Sequence, residues 1–260
     1  MSWWGKVVGG TIGLMLGGPL GALIGTAFGH SFDKKKTRGA GQIPGDQERV
    51  QAAFFAATFS IMGYVSKADG KVTPEEIDLA RTVMTEMSLD ASQRELAKLL
   101  FQQGKEPSFD ADAILQQFRY ECHRRTTLIQ LFLEIQIESA LADGQLHNKE
   151  ESVLLDIASK LGITDREYRG IFDRVSGMQS GYSRVRSNSS KEHESDPYMV
   201  LGVTRDTPLH EIKKAYRRLM SQHHPDKLVS KGLPEEMVRI ANQKTHEIRT
   251  AWKTIQAQHG

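Results

Sequence analysis

One cysteine in 260 residues excludes an internal disulfide, and Cys122 has neither a C-x-x-C partner nor Cys/His spacing for a metal site. It reads as a small buried apolar residue in a reducing compartment. Aromatic residues make up only 7 % and are not interleaved with the basic ones. With no zinc-finger, RRM or KH signature either, nucleic acid is not an expected partner. The sequence also lacks a Gly-rich phosphate loop, a nucleophile elbow and a carboxylate pair flanked by a plausible pocket, so neither an enzyme active site nor a cofactor is expected. A large net charge is missing too, but the overall +2 hides segregation. Residues 1–39 carry net +4, residues 40–176 net −7 and residues 196–260 net +4. Three regions that alternate in sign suit different partners.

What is present begins at Val7. From there to Gly29 run 23 residues without a charge, which as a helix would reach about 34 Å against a hydrocarbon core of about 30 Å. Ten are strongly apolar, eight are Gly and one is Pro19, so hydropathy alone makes insertion marginal. Gly9, Gly13, Gly17, Gly21, Gly25 and Gly29 recur at every fourth residue. On one helix they would form a smooth stripe for close helix packing, the pattern of a self-associating transmembrane anchor and a homodimer. Two other readings stand, a loose Gly-rich signal segment and a short hairpin broken at Gly18-Pro19. Against a cleaved signal, there is no A-x-A site, and Lys34, Lys35, Lys36 and Arg38 follow at once. By the positive-inside rule that cluster puts residues 1–6 outside and everything after the span in the cytoplasm. Trp3 and Trp4 fit an interfacial belt. Residues 30–47 read as a basic juxtamembrane linker.

Residues 54–90 laid over 128–164 bring an apolar helix, an Ala-Asp-Gly turn and a second helix into register twice. Phe55, Phe59 and Met62 mark the first apolar helix, and Leu128, Leu131 and Ile135 its counterpart. Thr73-Pro74-Glu75-Glu76 forms a capping box with Pro at the first helical position. Further helical pieces near 91–103 and 109–119 complete an all-α bundle of six or seven helices over residues 48–176. The acidic turns at Asp69 and Asp143 read as structural, since Gly follows the first Asp directly where an EF-hand wants alternating ligands; no metal site is expected. The duplicated D-G-x-[VL]…E turns resemble the TerB family, which implies a fold and little about activity.

Residues 177–195 are small, polar and without helical period, and read as a flexible tether of about 25 Å. After it, over residues 196–260, comes Asp196-Pro197-Tyr198-Met199-Val200-Leu201-Gly202-Val203. A helix over 209–223 follows, with Leu209, Ile212, Ala215 and Leu219 on one face, then His224-Pro225-Asp226-Lys227 as a break. A second helix from Pro234 carries Met237, Ala241, Ile248, Ala251 and Ile255 on its apolar stripe. The expected shape is an antiparallel hairpin around a His-Pro-Asp loop. D-P-Y-x-V-L-G-V, I-K-K-A-Y-R-R-L, H-P-D-K and E-I-x-x-A-W in this order resemble a J domain. Trp252 departs from the usual Tyr. The order of span, TerB-like bundle and C-terminal J domain resembles the membrane-anchored co-chaperones of the DjlA type.

That resemblance implies a DnaK-class chaperone as partner. His224, Pro225 and Asp226 would engage it, and Lys213, Arg217, Arg218 and Lys227, with Tyr216 beside them, would meet an acidic patch on it. The function expected is stimulation of that chaperone's ATPase at the cytoplasmic face of the inner membrane. A membrane scaffold recruiting partners through the TerB-like domain is the alternative. The plainer readings of His224 are a helix cap, or a metal ligand with His223, which no third ligand at suitable spacing supports. One expectation comes from charge alone: the acidic bundle, tethered to the basic helix 209–223, would dock on it and cover Lys213, Arg217 and Arg218. Two domains that ignore each other are the alternative, since salt screens surface charges beyond about 8 Å.

Overall fold

The computed structural model describes residues 17–29, 45–68, 84–85, 89–142, 146–186 and 196–259, and every regular element among them is helical. The Asp69 and Asp143 turns, the Thr73 capping box, Gly9, Gly13 and the basic cluster at Lys34 lie outside the described residues.

The first described helix, α1 (Gly18–Gly29), departs from the single long span. Gly17 and Gly18 take left-handed φ values of 54° and 58°, a conformation that glycine adopts without steric cost and that interrupts a right-handed helix. Among the described glycines, Gly17 and Gly18 thus lie outside the right-handed helix that carries Gly21, at the Gly18-Pro19 position of the hairpin reading. At 12 residues α1 is about 18 Å long. No helix among the described residues is long and apolar enough to cross a membrane. Instead α1 buries Leu20 and Ile24 in the bundle core. Gln117 fixes its start: its Oε1 accepts from the Leu20 amide at 2.7 Å and its Nε2 donates to the Gly17 carbonyl at 2.9 Å, satisfying a helix-start amide that has no partner within the helix.

Among the described residues, six helices make up the bundle: α2 (Asp46–Ser66), α3 (Ala91–Gly104), α4 (Ala111–Glu121), α5 (Thr126–Ala140), α6 (Asn148–Lys160) and α7 (Asp165–Arg186). α2 is buried on nearly all sides, because Phe54, Phe55, Phe59, Ile61 and Met62 meet neighbours all round. Phe54, Phe118 and Phe132 pack ring to ring at its centre, with centroids 4.6–6.4 Å apart. α2 and α3 touch backbone to backbone: a Cβ on Gly63 would lie 2.0 Å from the Phe101 carbonyl oxygen, and one on Gly104 1.8 Å from that of Ser60. Only glycine fits at either crossing point. In the second half of the repeat α5 is followed by α6, whose start is closed by the Glu150 carboxylate, which accepts from the His147 amide at 3.1 Å. Cys122 is buried and free, and burial pushes its thiol up to about 12. α7 corrects the tether, since the helix continues to Arg186 through the first ten of those residues.

Candidate chaperone-contact site

The Asp-Pro-Tyr…Gly motif builds a five-residue helix with both ends closed, α8 (Pro197–Leu201). Asp196 caps it by accepting from the Tyr198 amide at 3.1 Å, Pro197 sits where no donor is needed, and Gly202 ends it at φ 65°. Next comes α9 (Leu209–His223), which buries Ile212, Ala215, Leu219 and His223. Leu209 is 43 % exposed and does not belong to that apolar face. The break after α9 is not a plain loop: residues 225–230 form a short helix, α10 (Pro225–Ser230). A 3-10 turn (Glu235–Met237) leads into α11 (Val238–His259), whose Trp252 stacks on Tyr216 at 5.2 Å and 15°.

His224 is the N-cap of α10, its Nδ1 accepting from the Asp226 amide at 3.3 Å. The helix-cap reading therefore holds alongside any contact role. An accepting Nδ1 means that the neutral ring carries its proton on Nε2, where a partner can use it. The side chains of His224 and Asp226 are 46 % and 90 % exposed. Lys213, Arg217 and Arg218 are exposed on α9, and Tyr216 is half-buried by its stacking on Trp252. Lys227 donates to Ser221 Oγ at 2.6 Å. Ser221 lies one turn beyond Arg217 and Arg218, so that bond aligns Lys227 with their row.

The hairpin is docked on the bundle, but not through the expected face. Lys213, Arg217 and Arg218 stay in solvent, so the prediction that the acidic bundle covers them is wrong. The contact lies on the opposite side. Leu228, Leu233, Met237, Ile240 and Ala241 join the bundle's apolar core, while Tyr198, Leu201, Ile212, Leu219, Ile248 and Ile255 form the hairpin's own. Between the two cores lies a buried ion cluster. Glu134 of α5 faces Arg174 at 3.3 Å, Lys244 at 3.5 Å and His223 Nε2 at 3.6 Å, and Lys244 also pairs with Glu138. Burial alone would raise the Glu134 carboxyl; the surrounding His223, Lys244 and Arg174 overcome this and hold it at about 2. Burial pushes His223 down, so its imidazole tends to be neutral and the lasting positive charge comes from Lys244 and Arg174. Burial works against the Lys244 charge, yet Glu138 and Glu134 outweigh it and raise its pKa, whereas burial raises Glu138 despite Lys244.

None of these acids or cations, apart from His223 beside the loop, stands out in a motif search. The available signal was register: Lys244 fills the gap between Ala241 and Ile248 in the α11 stripe, His223 extends Ile212, Ala215 and Leu219 by one turn, and Glu134 follows Leu131 by three. A charge at an apolar register position needs a buried partner.

Three family models match the chain in order: the Co-chaperone DjlA transmembrane domain over residues 1–44, Tellurite resistance protein TerB over 55–172 and the DnaJ domain over 196–259. Among curated relatives, Co-chaperone protein DjlA of Shewanella oneidensis is 42 % identical over 263 residues, covering 100 % of this chain and 99 % of its own. The protein of the same name from Coxiella burnetii is 42 % identical, with 98 % and 97 % covered, and that of Escherichia coli O157:H7 is 40 % identical, with 100 % and 99 % covered. No solved structure matches the chain. With its transmembrane, TerB and J domains in that order, the chain belongs to the DjlA family of membrane-anchored J-domain co-chaperones.

Proposed function

We propose that the chain stimulates the ATPase of a DnaK-class chaperone, with residues 1–44 as the anchor and the bundle and J domain at the cytoplasmic face of the inner membrane. The observation that carries this reading is the exposed His224-Pro225-Asp226 corner beside a row of exposed cations on α9. His224, Pro225 and Asp226 are assigned to the contact itself. Lys213, Arg217, Arg218 and Lys227 supply steering toward an acidic patch, and Tyr216 borders them. ATP hydrolysis belongs to the partner. The orientation, a single pass with the N-terminus outside, rests on Lys34, Lys35, Lys36 and Arg38. Crossing as one span of residues 7–29 would draw α1 off the bundle, since Leu20 and Ile24 cannot be buried in both places.

Vesicles of the two orientations test function and topology together. Inverted membrane vesicles carrying the chain are expected to accelerate single-turnover hydrolysis by added chaperone, while sealed right-side-out vesicles and inverted vesicles with a chain lacking residues 196–259 do not. Equal stimulation from both orientations would refute the topology, and stimulation without residues 196–259 would refute the assignment to the J domain.

The glycine series supports a self-associating anchor, a homodimer in the bilayer, through Gly9, Gly13, Gly17, Gly21, Gly25 and Gly29. Gly17 has a left-handed φ, where any side chain is strained, so the clean test lies further toward the N-terminus. Gly9→Leu with Gly13→Leu should weaken association in a membrane reporter while insertion persists, because Leu adds hydrophobicity and blocks backbone approach. Undiminished association would exclude those glycines as the interface.

A further inference from the structure

The residues on either side of the His-Pro-Asp corner are held by the bundle, and the corner itself is not. α10 has six residues, far below the length at which a helix is stable by itself. Its anchors point away from the hairpin's own core: Leu228, and Leu233 just beyond it, are buried with the apolar residues of the bundle. The intervening turn is gripped from both bundle helices that face it. Gln47 of α2 donates to the Val229 carbonyl at 3.2 Å, and Lys231 donates to Thr127 of α5 at 2.9 Å. Gly232, at φ 99°, lies so close to α2 that a Cβ there would be 2.8 Å from Val50 Cγ1. On the other side, His223, the residue before His224, faces Glu134 at 3.6 Å.

We propose that Gln47, Val50, Thr127 and Glu134 of the bundle are positioning residues for the chaperone contact: they hold α10 from behind, so that His224-Pro225-Asp226 meets its partner already ordered. Ordering a loop at the moment of binding weakens affinity, and ordering it beforehand removes that cost. The bundle thereby acts on J-domain affinity without touching the chaperone. This inference rests on the ATPase-stimulating function proposed above.

The test uses the full chain in lipid nanodiscs with two bundle-side variants, Glu134→Gln and the double variant Gln47→Ala with Thr127→Val. The double variant changes only rim contacts, which keeps the test valid if Glu134→Gln fails to fold. Hydrogen exchange at the amides of Leu228, Gly232 and Leu233 should become at least about tenfold faster in both variants, as their bonds to the carbonyls of His224, Val229 and Leu228 open. The concentration giving half-maximal chaperone stimulation should rise about five- to tenfold with the maximum retained and the helical circular dichroism unchanged, since an unfolded fraction large enough to produce that shift would remove most of the helical signal. Faster exchange with an unchanged or lower half-maximal concentration would overturn the positioning role, and unchanged exchange would show that the bundle does not hold the loop. His224→Gln in the same assay separates the two levels: full stimulation by it would refute the functional reading itself, whatever the exchange data show.

Discussion

Replacing His224 by Gln is expected to reduce chaperone stimulation to the unstimulated rate while leaving the helical content and the thermal midpoint nearly unchanged. The side chain is 46 % exposed and contributes no apolar packing. Its ring nitrogen Nδ1 accepts from the Asp226 amide at the start of α10, and the Gln amide oxygen can accept at the same helix start. The cap contributes on the order of 1 kcal/mol and is in part preserved. What Gln does not reproduce is the imidazole ring with its proton on Nε2, held in place by a backbone bond to the next turn. Asp226→Asn provides the companion test, since that side chain is 90 % exposed and its removal from the ion balance costs the fold little. Single-turnover ATPase alongside circular dichroism gives the answer. A folded His224→Gln chain that still stimulates fully would remove the J-domain loop from the mechanism.

The all-α class, the repeat and the hairpin were legible because they are written in periodicity and in short motifs whose meaning is local. Asp196, Pro197 and Gly202 specify cap, first position and stop for α8 by their own chemistry, and the edges of α9 follow from Pro208 and the His-Pro junction. The exposed cations of α9 were legible for the same reason, as they lie off the Ile212, Ala215 and Leu219 stripe. What depends on distant pairs was not. Gly63 and Gly104 look like ordinary helix-weakening glycines until α2 and α3 are placed in backbone contact. The extension of α7 to Arg186 runs through a polar, serine-bearing stretch that lacks an apolar stripe of its own; Gly177, against Met199 Cβ, marks where it passes α8. Charge totals correctly suggested attraction between bundle and hairpin, yet misplaced the contact. Net charge describes the long-range field, whereas docking is decided by the apolar surface of Leu228, Leu233 and Met237 and by Lys244 and Glu134 within it. The left-handed Gly17 and Gly18 were not legible either, because a four-residue glycine period carries no sign of where the backbone leaves the right-handed helix.

Lys244→Met should be the most destabilising single change at the junction of bundle and J domain. The Lys244 side chain is 4 % exposed and faces Glu134 and Glu138 together. Met replaces its stem at nearly equal volume, so the packing survives and the lost charge is isolated. Breaking one member of a buried ion pair costs about 3–5 kcal/mol, because the partner stays buried without compensation. In a chain of this size that corresponds to a fall in midpoint of roughly 10 °C. The pH dependence distinguishes this cause from simple loss of packing. In the parent protein Glu134 is held at about 2, well below the ordinary carboxylate value, so its contribution is complete above that ordinary value and is lost only as pH falls toward 2. In the variant Arg174 remains beside Glu134, but Glu138, already raised by burial and by Glu134 and Glu247, loses its cation and rises further. As pH is lowered from 7 toward 5, the variant takes up the proton that the parent does not need, and the buried negative charge disappears. Lys244 also helps to hold His223 down, so without it the His223 imidazole beside Glu134 gains its proton at higher pH in the variant than in the parent, which works in the same direction. The deficit of the variant relative to the parent should therefore shrink over that interval, as measured by urea unfolding at each pH. A deficit that stays constant or grows would show that Lys244 acts through its methylene packing and not through its charge.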